Sequence, residues 1–246
     1  MIPMFQIILY GLISGFSLLF GAFVGTGFNL KQKTIAGFMA FGSGVLICAL
    51  TFGLMEEAFN HGGFDAVILG FLGGGVVFIL GDYFIHRQGG RRHKRKTIFE
   101  NPKEPNGTAI FMGAVLDGIP ETIALGIALF NGQGRGLLML VAIVLSNFPE
   151  GISSINGLKK EGFSKRNIYL MWTIIALILA AIAVLSFVFL NDINSNTIGI
   201  IEAFAAGAIL AMLADTMMPE AFEGGGFLIG ILTVLGFLIA FILSRF

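Results

Sequence analysis

The chain has 246 residues, 56% of them hydrophobic and 12% charged. Fifteen basic and fifteen acidic side chains cancel to zero net charge, and the mean hydropathy is +0.89. A soluble domain carries about twice that charged fraction, so composition excludes a soluble fold; no nucleic-acid partner is expected, since the one basic run is accounted for by membrane topology and anionic lipid. The single cysteine, Cys48, excludes an intrachain disulfide and argues against a cysteine metal cluster; in its apolar run it reads as a packing thiol.

Apolar runs of roughly 20 residues are long enough to cross a bilayer, and eight are predicted. The first, Ile2–Phe28, lacks a basic leading segment and reads as a helix rather than a signal peptide. Thr34–Phe59 and Phe64–Ile85 follow, then a polar loop, His86–Gly107, which contains RQGGRRHKRK and is expected to be flexible. The remaining spans are Thr108–Phe130, Gly136–Leu158, Asn167–Leu190, Thr197–Phe222 and Gly226–Leu243. His61, His86 and His93 all fall in or beside loops, and Glu202 and Asp82, near span ends, need no special role. The glycine runs Gly73–Gly75 and Gly224–Gly226 lack the lysine and strand–helix context of a phosphate loop, and read as close packing or a tight turn.

A near-duplication joins the second and seventh spans. Phe41–Phe64, FGSGVLICALTFGLMEEAFNHGGF, and Phe204–Phe227, FAAGAILAMLADTMMPEAFEGGGF, share Phe41/Phe204, Gly44/Gly207, Leu50/Leu213, Met55/Met218, Glu57/Glu220 and the closing GGF, among others. Orientation follows from lysine and arginine. The segments after the first, third and fifth spans hold thirteen of them, and the opposite side holds only Arg135 and Arg245. The basic segments are therefore expected in the cytoplasm and both termini outside, with the basic run touching anionic lipid. The duplicated spans then cross in opposite directions, as inverted repeats do. The reading is an all-α polytopic membrane protein of eight transmembrane helices, residues 1–246 forming one transporter domain. Residues 1–85 and 159–246 are the repeats, 86–107 the basic loop and 108–158 the central pair of helices.

That central pair carries acid and proline together: Leu116–Glu121 reads LDGIPE and Leu145–Glu150 reads LSNFPE. A proline within a helix frees the carbonyl four residues earlier, here that of Leu116 or Leu145, and hydrocarbon offers it no donor. Asp117 and Glu121 are four residues apart and share a helix face, as do Ser146 and Glu150, with Asn147 three before Glu150. If these faces meet, Asp117, Glu121, Asn147 and Glu150 enclose one small volume, with Ser146 as an additional polar ligand. Clustered carboxylates repel in a low dielectric unless a cation or protons neutralise them, and a divalent metal does so most simply. Glu57 and Glu220 are expected near the opposite mouths of a cation path, and Asp215 deeper within it.

Eight spans, the polar loop after the third, and fragments such as LSNFPEGIS and MMPEAFEGG resemble the ZIP (Zrt/Irt-like) family of divalent-metal transporters, as a divergent bacterial-type member. The resemblance implies a 3+2+3 arrangement, with helices 1–3 and 6–8 around helices 4 and 5, and uptake of zinc, manganese or iron into the cytoplasm through a site on helices 4 and 5. Glu121 and Glu150 match the family's carboxylate ligands. Asp117 stands where the family usually has His, and Gly118 where it usually has Asn; Ser146 and Asn147 are the polar pair before the second PE. Helix 6 lacks the acid that completes a second metal site in some bacterial members, which argues against a binuclear site without fixing the number of ions. A donor set of carboxylate, amide and carbonyl oxygen suits ions harder than zinc, such as manganese.

The metal is expected as substrate, with no prosthetic group, and the chain is expected to be no enzyme, since a membrane metal hydrolase would need His or Cys ligands. Two alternatives stay open: a proton-coupled carrier of another solute, and a metal-binding sensor that has lost transport. A bacterial plasma membrane is the expected location, lipid and the ion the expected partners, and a homodimer is left open.

Overall fold

Every backbone N–H and C=O in hydrocarbon must find its partner within the same segment or a closed barrel, and an apolar chain meets that demand most directly as helix. The computed structural model describes residues 3–28, 30–87, 107–160, 162–190 and 193–245, and among these no strand is found. The helices are α1 (Met4–Gly27), α2 (Gln32–Ala49), α3 (Glu56–Arg87), α4 (Gly107–Phe130), α5 (Gln133–Lys160), α6 (Lys165–Phe189), α7 (Ser195–Met212), α8 (Met218–Gly225) and α9 (Leu228–Leu243). Ser164 starts α6 by accepting from Asn167 N at 3.2 Å, and Asn194 starts α7 by accepting from Thr197 N at 2.9 Å. The expected flexible loop and its basic run lie mainly outside the described residues.

Six helical stretches of the described chain are long and apolar enough to cross a membrane. Two differences from the eight expected spans have local causes. The stretch from Gln32 to Ile85 is helical throughout its 54 residues, but such a rod would measure about 80 Å, over twice the hydrocarbon thickness. It is broken at Gly63, whose φ of 66° and ψ of −163° only glycine adopts readily. The eighth expected span corresponds to α9, apolar but only 16 residues long.

The duplicated sequences have matching backbone irregularities. Leu50–Met55, which continues α2 into α3, is π-helical, and so is Leu213–Met217 between α7 and α8; both begin at the aligned leucine pair. Gly226 repeats the break at Gly63, with φ 67° and ψ −144°. Their neighbours also match. A methyl group on Gly44 of α2 would overlap the carbonyl of Thr233 in α9, and one on Gly236 would overlap that of Phe41. The same reciprocal contact joins α7 to α3, where Gly207 lies against the carbonyl of Phe71 and Gly74 against that of Phe204. Successive contacts run in step (Gly37 with Leu232 and Phe41 with Gly236; Ile200 with Gly70 and Phe204 with Gly74), so each pair runs in one direction.

The helices thus form two groups. In one, α2 packs along α9 and α3 along α7; in the other, α1 and α4 both pack on α5 and α6. Backbones approach closely in the second group as well, with Gly21 of α1 against the carbonyl of Phe148 and Gly151 of α5 against that of Leu18. The groups join mainly where α2 meets α5 and where α4 meets α7. Most of the α4 span is enclosed, at 72% buried, against 33% for α6.

Candidate functional site

Two proline-bearing helices bring their polar faces together at the centre of the second group. Pro120 lies within α4 and Pro149 within α5. Asp117 and Glu121 are 3% and 1% exposed, Ser146 and Asn147 are each 1% exposed, and Glu150 is half-buried. The Ser146 hydroxyl donates to Glu121 Oε1 at 2.8 Å and has a second acceptor, the carbonyl of Ile143, at 3.0 Å. Because a hydroxyl has one proton, it can serve only one of them at a time. Glu121 Oε2 is buried and has no hydrogen-bond partner, while Asp117 and Glu150 stand close enough to act on Glu121 by charge. The carbonyl of Leu145, freed by Pro149, faces Gly42 of α2.

Asn147 points partly elsewhere: its Nδ2 donates to the Ser14 carbonyl on α1 at 3.1 Å. Among the described residues no three His, Cys, Asp or Glu side chains converge as ligands of one ion. A metal at this centre therefore needs serine, amide or backbone oxygens, or a rotamer change in a neighbouring carboxylate. The three outlying acids are placed differently. Glu220 accepts from Ser153 Oγ of α5 at 2.8 Å, one helical turn beyond Glu150. Asp215 lies on the exposed face of its π-helical turn. Glu57 is paired with Arg135, Nη2 to Oε1 at 2.5 Å.

One polar cluster escapes a reading by sequence. Glu202 is fully buried; its Oε2 lies 2.9 Å from His61 Nδ1, and its Oε1 accepts from Asn131 Nδ2 at 2.7 Å. A lone acid near the end of an apolar helix looks like one that reaches water. The available signal was the run on both sides of it, GII before and AFAAGA after, which leaves no polar face to expose. A surface groove of about 410 Å³ between Phe16, Leu19, Phe20, Phe23, Tyr169 and Thr173 is apolar and lined by none of these acids, as suits lipid contact.

No family model matches the chain. A protein of Arabidopsis thaliana named “Putative zinc transporter” is similar to it, 24% identical over 184 residues. The match covers 74% of this chain and 29% of the relative, so the chain spans less than a third of that protein's length.

Proposed function

We propose that the chain carries a divalent metal cation across a membrane in the manner of the ZIP family, binding the ion between α4 and α5. The observation that carries this reading is Glu121, a carboxylate 1% exposed whose Oε2 has no donor. A buried acceptor left unpaired costs about 1–3 kcal/mol, and more when charged. Two further acids nearby make that cost larger unless positive charge is supplied. An ion held by Glu121, Glu150, Asp117, Asn147 and Ser146 supplies it. Glu57, Asp215 and Glu220 are the candidates for guiding the ion to and from this point.

The matched π-helical turns, glycine breaks and reciprocal contacts support an inverted repeat of helices 1–3 and 6–8 around helices 4 and 5. The relative's name supports zinc; the all-oxygen donor set, without imidazole or thiolate, supports manganese or iron as well. Uptake into the cytoplasm across the plasma membrane, with the basic segments inside, completes the proposal.

The test is uptake of zinc, manganese, iron(II), cobalt, cadmium and magnesium into proteoliposomes, with Glu121→Ala and Glu150→Ala alongside. Saturable uptake of one ion, lost in both variants, is expected. Folded protein that carries none of them overturns the proposal.

A further inference from the structure

The start of α5 and the turn before it reach across to the other helix group through two polar side chains, Asn131 in the turn and Arg135 in the first turn of α5. Arg135 sits on Glu57 at 2.5 Å and also donates to the Asn131 carbonyl at 3.2 Å. Asn131 in turn holds Glu202, which His61 holds from its other oxygen. Ser195 Oγ, at the start of α7, donates to the His61 carbonyl at 2.9 Å. Asn131 and Arg135 belong to the α1, α4, α5 and α6 group; Glu57, His61, Ser195 and Glu202 belong to the other. Glu121 lies ten residues before Asn131 along α4, about 15 Å away.

The two halves of this contact differ in character. The Glu202 carboxylate is fully buried and its donors, His61 and Asn131, are half-buried, so hydrogen bonds to it are strong and costly to break. The Arg135 guanidinium is 42% exposed against 14% for the Glu57 carboxylate, so the ion pair opens to solvent from the arginine side. Arg135 is thus a tethered cation placed on an acid that an incoming cation would also seek. We infer that Arg135 is a latch: seated on Glu57 it closes this end of the molecule by tying the start of α5 to α3, and a divalent cation arriving at Glu57 displaces it. The inference rests on the transporter reading for the identity of the displacing ion, but not for the closure itself.

Distances between the helix groups test it without transport. Spin labels at Asn60→Cys and Gly134→Cys, both exposed positions, report the gap at this end; Cys48, fully buried, is replaced by alanine. Purified protein is expected to give one narrow distance. Arg135→Gln is expected to raise the share of a longer distance about fivefold, the worth of one ion pair. Reversing the pair, with Glu57→Arg and Arg135→Glu together, is expected to restore the narrow distance. An Arg135→Gln distribution identical to the parent overturns the latch, and so does failure of the reversed pair to restore it. If Arg135→Gln opens the gap while the parent carries no metal into proteoliposomes, the latch stands and the transporter reading falls. If the parent carries metal and the distances never change, the reverse holds.

Discussion

Gly42 offers a graded test of how tightly the two helix groups are held beside the candidate site. A methyl group there would stand 2.8 Å from the Leu145 carbonyl oxygen, 3.0 Å from its carbon and 3.2 Å from Ser146 N. All three are backbone atoms and cannot swing aside. Ordinary contact would require α2 and α5 to part by roughly 0.6 Å, and forcing a methyl into a packed interface of this kind costs about 1–3 kcal/mol. For a chain of this size that is a fall in melting temperature of roughly 2–12 °C. Gly230 of α9 has nothing within 4 Å, so Gly230→Ala should be neutral or gain up to about 1 kcal/mol in helix propensity. Gly44→Ala should fail to give folded protein, because its methyl would overlap the Thr233 carbonyl and also approach Phe237 N at 2.8 Å. Melting of the three variants in detergent, followed by tryptophan fluorescence from buried Trp172, is the assay. A Gly42→Ala protein that melts no lower than Gly230→Ala refutes the close approach of α2 to α5.

Glu121→Gln should abolish both saturable metal uptake and any rise in melting temperature on adding metal, weakening binding by more than the roughly 100-fold typical of lost partners outside the ligand set. Chelator should then lower the melting temperature of the parent protein and leave that of the variant unchanged. Ser146→Ala should destabilise the metal-free protein by about 1–3 kcal/mol, since Glu121 Oε1 loses its donor. Added metal should widen that gap, because Ser146 is also a proposed ligand and its loss weakens binding, and an equal gap with and without metal would place the ion elsewhere. Glu202→Ala removes the acceptor of both Asn131 and His61, and should cost about 2–5 kcal/mol by thermal melting. The exposed Glu56→Ala control should stay within about 0.5 kcal/mol.

The helical, membrane-compatible character of the chain was legible because hydropathy over 20 residues reports burial in lipid directly. The meeting of α4 and α5 was half legible. Spacing put Asp117 with Glu121 and Ser146 with Glu150 on common faces, but only coordinates could show that Ser146 bonds Glu121, or that Asn147 turns towards α1. Glu57 read as a bare acid at a mouth because its partner, Arg135, is 78 positions away along the chain. Glu202 and His61, 141 positions apart, were unreadable for the same reason. The π-helical turns were also hidden, since an added residue per turn leaves hydropathy unchanged; what marked them was the recurrence of the segment itself.

One departure from the family pattern has a physical counterpart in the packing. At position 118, where the resemblance leads one to expect an amide, a side chain would meet Leu179 of α6 at 2.6 Å and again at 2.9 Å. Glycine and leucine are thus complementary: the volume that a second ligand set would occupy on this side of α4 is filled by hydrocarbon. Thr122, one turn on, commits its hydroxyl proton to the Gly118 carbonyl at 2.8 Å. Of the acids of α4, Asp117 and Glu121, the latter faces α5, where Ser146 donates to it. Under the transporter proposal, that geometry favours one ion on the α4–α5 side over two. Under the same proposal it also bears on the choice of ion, because a centre without imidazole, closed on one flank by leucine, would hold a cation with oxygens alone.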